Sequence, residues 1–586
     1  IAAERGKHWL KANDSILADP PWSRESLMAW RARIHDLPRV TFEQQNFGRN
    51  STEDRLMRLG RVPLQVLACV ATATSCLVIA EPASAYVALM AGQRARPLNG
   101  SFNNVPVLHS NQPEIVTGPG ILVNTAPGSA IAAETRRPLR NAEYTFNGNF
   151  GVHMHHKYYP SDTKKLGGRK KRGLLTLGLI AINPGDRPVT LTFSTGSVKN
   201  SFEAPYLPNN LMGVKPLGKR PWNTGPGDAT AVQMLREELD RKLKSSITIP
   251  ARSSRVVVST DLPARGIANG LLQGRSDGPV QLAVVAAEES RSDQALTAVL
   301  RRGRLAPGRI YLDRLREIQT GEVFSRVAGV AIGDRYTAST DHNLNQGPLH
   351  VPLTSTSRHN FGTRDVQVNP LTSRMVDSAL NNVGTYGVRY DVTLNLKGQG
   401  VHQLVMSHPV VSGKKPFTAF RGSIRIQHGD VVEEVHVGLR AGESLALTDL
   451  RLTPGRTTPV KVSLVYPADA TPGHLLSVVP VQQLAMLHQR QKQQKEALDQ
   501  LAAYKKQRNV VPKQAPPAAI EPVVTPANTP DKIATPAAEP AKTPATAKQK
   551  QPSPPPPLPA IVPVPAPRYT DAIRSQQQWL RQLQGR

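Results

Sequence analysis

Two histidines in "GVHMHHKYY" are the side chains best placed by type and spacing to do chemistry: on a strand, His153 and His155 share a face. That spacing presents two imidazoles to one Zn, Fe or Mn ion, although a third ligand and a carboxylate would have to come from elsewhere in the chain. The plainer expectation is a hydrogen-bonded histidine pair near the surface of a β-sandwich. Residues 274–278 read G-R-S-D-G, which fits the G-x-S-x-G pattern of serine hydrolases. A nucleophile elbow needs a helix after the serine, and "PVQLAVVAA" reads as a strand, so a hairpin turn is expected there. Residues 341–347 alternate oxygen-bearing side chains like a calcium loop. Pro352 stands where a bidentate Glu is required, so this reads as a polar loop. The chain has no H-E-x-x-H, Walker loop or dinucleotide fingerprint, and its dispersed carboxylates offer no identifiable glycosidase pair. No cofactor is expected.

A different kind of chemistry comes from Lys164, Lys165, Arg169, Lys170, Lys171 and Arg172, a basic run made pliable by Gly167 and Gly168. Such a run is either a solvated loop or a contact for anions. The whole chain favours anions, with 73 Lys+Arg against 44 Asp+Glu and a formal charge of +29 over 586 residues. Inside a cell that balance would suggest nucleic acid, but aromatic residues make up 5%, too few for base-stacking platforms, and the expected compartment is another one.

The compartment is read from "RLMRLGRVPLQVLACVATATSCLVIAEPASAYVAL", residues 55–89. Arg55, Arg58 and Arg61 precede an apolar run over residues 62–80, and Ala83 and Ala85 bracket a small-residue cleavage site. Residues 55–85 are expected to be a signal peptide with translation starting at Met57, and residues 1–54 a non-native or disordered extension. The competing reading keeps the apolar run as a single membrane anchor. Both readings put everything after Tyr86 outside the cytoplasm, periplasmic or at the cell surface. The two cysteines, Cys69 and Cys76, fall inside the apolar run, so the exported part has no disulfides, thiolate catalysis or Cys-ligated zinc.

The elements that must position these groups are strands. In "GLLTLGLIAINPGDRPVTLTFSTGS", Val189, Leu191 and Phe193 alternate after a Pro-Gly-Asp turn, the pattern of a hairpin with one buried face. "ITIPARSSRVVVS", "GVRYDVTLNLKGQGVHQLVMS" and "LRLTPGRTTPVKVSLVYP" repeat the style. The expected class is all-β: two tandem antiparallel, Ig-like β-sandwich modules at 104–288 and 322–480, joined by a helical, basic linker at 289–321. A few surface helices complete it. One is capped by Asp228 with Val232, Leu235, Leu239 and Leu243 on a single face; another spans about 293–302. Residues 481–508 should form one exposed helix. Residues 511–568 are Pro/Ala/Lys-rich and should be a disordered, extended tether. At 569–586, Ile573, Trp579, Leu580 and Leu583 suit a short amphipathic helix that docks in a partner protein's groove.

Several segments, among them "VPVLHSNQPEIVTGPGILV", "FNGNFGVHMHH", "NNVGTYGVRYDVTLNL" and "VYPADATP", resemble an uncharacterised secreted cyanobacterial family, domain of unknown function 3370. The resemblance implies an exported envelope protein and brings no known activity or catalytic residue. The basic insertion and the long tail depart from it. The expected function is therefore a non-catalytic envelope protein whose basic surfaces contact peptidoglycan, lipopolysaccharide or acidic polysaccharide, with no nucleic acid as partner. The alternative is a metal-dependent enzyme acting on envelope polysaccharide through His153 and His155.

Overall fold

A computed structural model describes Leu89 and residues 93–508, except 167–172, 207–211, 221–222, 289–291, 323, 410–416 and 469. All described residues belong to the second of two compact units, Glu81–Arg586. Ala83, Ala85, Arg169, Lys170, Lys171, Arg172, the segment 511–568 and Ile573, Trp579, Leu580 and Leu583 lie outside the described residues.

Alternating and continuous apolar runs form strands throughout, and the all-β class holds. The organising element of one core is the 22-residue strand Ile267–Glu288. Its first half pairs with Phe146–Tyr158 on one side and Val189–Asn200 on the other. Its second half pairs with Leu174–Asn183 and Gly120–Asn124. The register shifts between Ser276 and Val280, where the strand passes from one set of partners to the other. Phe146, Phe150, Leu177, Leu191, Phe193 and Leu282 fill the space enclosed. A second core lies between a seven-stranded sheet, which includes Arg389–Lys397 and Thr458–Val465, and a four-stranded sheet, which includes Gly400–Ser407 and Ser444–Leu452. Tyr390, Val392 and Leu394 from one sheet meet Leu404, Met406 and Leu476 from the other. Strands also cross between the cores: Ala328–Ile332 pairs with Pro106–Ser110, and Gly213–Pro216 joins the edge of the seven-stranded sheet.

The expected hairpin over residues 174–200 is not a hairpin. Leu174–Asn183 and Val189–Asn200 do not pair with each other; they lie in different layers, each against a different half of the long strand. The same holds across Pro250, across residues 398–400 and across residues 453–457, where each turn carries the chain from one layer to another. The cause is visible at Asn183. Its Nδ2 donates to the carbonyls of Arg187 (2.7 Å), Ile249 (3.1 Å) and Pro250 (3.1 Å), and its Oδ1 accepts from Gly185 N (2.9 Å). One buried amide thus ties two such corners together. Alternation fixes which side chains face inward, and it leaves the pairing partner open. The sheets are also mixed: Arg335–Asn343 runs parallel to Arg389–Lys397, and Pro106–Ser110 runs parallel to Phe146–Tyr158, pairs whose long connections return the chain to the same end.

The expectation of surface helices needs correction at Pro226–Leu235. All ten of its residues are buried. The helix starts earlier than expected, with Pro226 in the first turn, and Asp228 sits inside that turn and does not cap it. It stops at Leu235 because Arg236 is its cap and Glu237 follows with φ 59°. Leu239 and Leu243 therefore leave the helical face and pack near Gly196. Gly225, at φ 90°, has no room for a side chain, since a Cβ would lie 2.4 Å from the Tyr206 ring. Asp293–Arg302 is a surface helix, capped by Ser292 and ended by Gly303, with Leu296 and Val299 turned inward. In Val481–Arg508, Leu484 and Leu487 pack on Leu89, Val405 and Val479, whereas Leu498 and Leu501 are exposed.

Asn183→Ala is expected to destabilise the fold by about 2–3 kcal/mol, because buried carbonyls at both corners lose their donor. The denaturant midpoint at constant slope measures this.

Candidate functional site

Period two does bring His153 and His155 to one face of Phe146–Tyr158, but deep inside the molecule and not near a sandwich surface. His109, His153, His155 and His156 are each 1% exposed or less. The Nδ1 of His153 lies 3.3 Å from Nδ1 of His109, its register partner on the parallel strand, so one imidazole donates to the other. Their rings meet edge to face at 5.4 Å, and Tyr386 lies 6.1 Å from the His153 ring. Nδ1 of His155 donates to Asn269 Oδ1 at 3.0 Å. His156 points the other way; its Nδ1 donates to the Pro113 carbonyl (2.8 Å), and its Nε2 accepts from Ser110 Oγ (2.8 Å). Burial holds His109 down to about 3. Burial, reinforced by the neighbouring imidazoles, keeps His153 well below its ordinary range. His156 also falls to about 3, since burial outweighs its bond to Pro113. Among the described residues, no group of three His, Cys, Asp or Glu side chains is disposed to hold a metal ion.

The buried helix brings together three further groups whose positions are too far apart to associate by reading the chain. Asp228 accepts from Ser423 Oγ at 3.0 Å and lies 3.0 Å from His436 Nδ1. Ser423 and His436 face each other across the hairpin formed by Thr418–His428 and Val431–Arg440. The carboxylate sits between hydroxyl and imidazole. A nucleophilic triad needs the imidazole in the middle, so this arrangement joins helix to sheet and does not activate the serine. Ser276 of the G-x-S-x-G segment is 2% exposed, and its hydroxyl bonds the Gly278 carbonyl within the same strand. The segment is a bulge in the long strand, not the expected turn. Residues 341–347 are the end of a strand and one 3₁₀ turn, with Asn343 Oδ1 accepting from Asn345 N.

Of the basic run, Lys164 and Lys165 lie in the exposed turn Thr163–Leu166, and Lys165 pairs with Glu288 at 3.3 Å. Interior charge is neutralised in pairs. Arg309 grips both oxygens of Asp377 at 2.8 Å, with both side chains at 0% exposure. Burial opposes ionisation of Glu114, but the Arg326 guanidinium and the Lys157 ammonium beside it hold its carboxyl well below the usual range.

The open site is one that the chemistry-bearing motifs do not indicate. A groove of ≈560 Å³ runs between the outer face of the sheet at Asn149, Thr192 and Arg275 and the turn that carries Asp334 and Arg335. Its volume lies in the ~300–1,000 Å³ range of small-molecule sites. Arg275 is the second residue of the G-x-S-x-G segment, and it sits in regular register with Asn149 and Thr192 just before the register shift between Ser276 and Val280.

A family model described as a protein of unknown function (DUF3370) matches residues 93–480, most of the chain, and it is the family that the quoted segments resemble. The match concerns family alone and not secretion or source. No curated protein matches the chain. Among solved structures, a Paenibacillus xanthan lyase is 11% identical, with 62% of this chain and 26% of that one covered and a TM-score of 0.12. The chain spans about a quarter of that protein's length, and at this TM-score the likeness carries no argument.

Acid stability follows from the buried imidazoles. Burial also lowers His350 and His408 to about 4. In the unfolded chain these groups take up protons near pH 6.5, and in the fold they stay neutral to about 3–4. Stability is therefore complete above ~6.5 and lost as pH falls from there toward ~4, by up to ~1.4 kcal/mol per pH unit for each group. Denaturant midpoints measured from neutral pH down to ~4.5 are expected to fall steeply; a flat profile would show that the imidazoles are not buried neutral.

Proposed function

This chain belongs to the DUF3370 family of proteins of unknown function, and we propose that it is an exported cell-envelope protein with a non-catalytic binding role. In this reading its cationic surface contacts anionic envelope polymers, and its Pro-rich segment is a tether. The observation that carries the proposal is a separation. The groups that the sequence motifs single out for acid–base or nucleophilic chemistry, His153, His155 and Ser276, are held in the interior, while Lys+Arg outnumber Asp+Glu by 73 to 44. Long-range attraction to a polyanion needs only net charge and exposure, and both are available outside the core.

Export rests on the three arginines ahead of the apolar run. No helix among the described residues is long and apolar enough to cross a membrane, and the apolar run itself lies outside them.

The test is cosedimentation of the full chain with isolated sacculi or lipopolysaccharide micelles across a salt series. Retention is expected to drop about tenfold or more between ~0.05 and ~0.5 M salt, as the screening length shortens toward a few ångströms. Salt-independent retention would refute the electrostatic reading. A stoichiometric bound metal together with polysaccharide cleavage would move the protein to the enzymatic alternative.

A further inference from the structure

The groove beside Arg275 is lined by the guanidinium-bearing Arg275 and Arg335 and by one oriented carboxylate, Asp334; Arg335 lies 3.7 Å from Asp391, which leaves Arg275 as the guanidinium open to a ligand. Ser246, Thr192, Arg275 and Asn149 are successive register partners across four neighbouring strands and so share one face of the sheet. The adjoining residues are locked on the other face: Phe150 and Phe193 stack edge to face at 6.0 Å, and Gly274 lies between them, where a Cβ would come within 2.9 Å of both rings. The strand therefore cannot rotate, and Arg275 stays on the open side. Its guanidinium has no ion pair or hydrogen bond among the described residues. Across the groove, both oxygens of Asp334 are held by amides, Oδ1 by Asn103 Nδ2 at 2.6 Å and Oδ2 by Gln273 Nε2 at 2.8 Å. Asn103 Oδ1 in turn accepts from the backbone N–H of Asp334 (3.0 Å) and Arg335 (3.2 Å). The carboxylate is oriented by neutral donors and has lone pairs left for a ligand.

These groups match one ligand chemistry. A carboxylate with spare lone pairs accepts from vicinal hydroxyls, the Asn149 amide and Thr192 hydroxyl bond further hydroxyls, and a guanidinium receives an oxyanion through two parallel bonds. Phe150 and Phe193 are buried, so they offer no ring face to a nucleobase. We infer that the groove binds a short stretch of acidic saccharide, with the acid group of one sugar on Arg275 and the hydroxyls of a sugar on Asp334. This rests on the envelope-polymer reading and supplies its specific site.

The experiment is calorimetric titration of the full chain, at physiological ionic strength, with three tetrasaccharides: an oligogalacturonate, a heparin-derived sulfated fragment and neutral cellotetraose. Binding of an acidic tetrasaccharide with at least tenfold preference over cellotetraose is expected, and the acidic probe that wins tells whether the acid group is carboxylate or sulfate. Arg275→Gln, an exposed change, is expected to weaken that binding about tenfold, and Asp334→Asn to weaken binding of the neutral and acidic sugars alike. Equal affinity for all three sugars, or an unchanged affinity in Arg275→Gln, would overturn the assignment. Sacculus retention without any tetrasaccharide binding would sink the groove and leave the envelope reading intact; tetrasaccharide binding without sacculus retention would do the reverse.

Discussion

The fold depends on a short helix buried on every side, Pro226–Leu235, because a helix enclosed between sheets must find a partner for each polar side chain it carries. Its polar residues each reach a different element. Asp228 joins Ser423 and His436 of one sheet. Thr230 and Gln233 join Asn269 and Ser197 of the other. Ala231, Met234 and Leu235 close the gap against Leu271 and Val465. Dry packing alone would let the two sheets slide; these bonds set one arrangement, since any shift strands a buried carboxylate or amide at a cost of about 1–3 kcal/mol. The histidine layer lies on the same face of the first sheet and obeys the same rule, with His109 and His155 each serving a neighbour.

The interior separates its ionisable groups by whether a counter-charge is at hand. Where one is, as at Glu114 beside Arg326 and Lys157, the carboxyl is held charged; where none is, the imidazoles stay neutral. Removing one partner of such a pair leaves a buried charge uncompensated, so these residues secure the fold and are poor candidates for chemistry that must change protonation state. The groove lies outside this paired interior: there Asp334 is oriented by amides, and Arg275 stands on the exposed face of the sheet.

Much of this was legible in the chain. Alternation at Val189, Leu191 and Phe193, and at Tyr390, Val392 and Leu394, correctly marked the inward faces, because the pleat sends every second side chain to the same side. Asp293–Arg302 was legible from its cap and its terminal glycine, which are local. The turns at residues 184–186 and 398–400 misled, since a tight turn looks the same whether the next strand pairs back or crosses to another layer. Asn183 decides for crossing through carbonyls more than sixty residues away. The groove was not legible, because its walls come from positions near 103, 149, 192, 275 and 334 that no local pattern connects.

The sequence by itself determined the all-β class, the side of each strand that turns inward, the excess of positive charge and the family, all of which depend on composition, short-range periodicity or ordered motifs. Only the tertiary structure decided which strands pair, that the Asp228 helix is interior, that the histidines answer one another, and that Arg275 and Asp334 line one groove. Those outcomes rest on contacts between residues tens to hundreds of positions apart, and a side chain's burial and hydrogen-bond partners exist only once such contacts form.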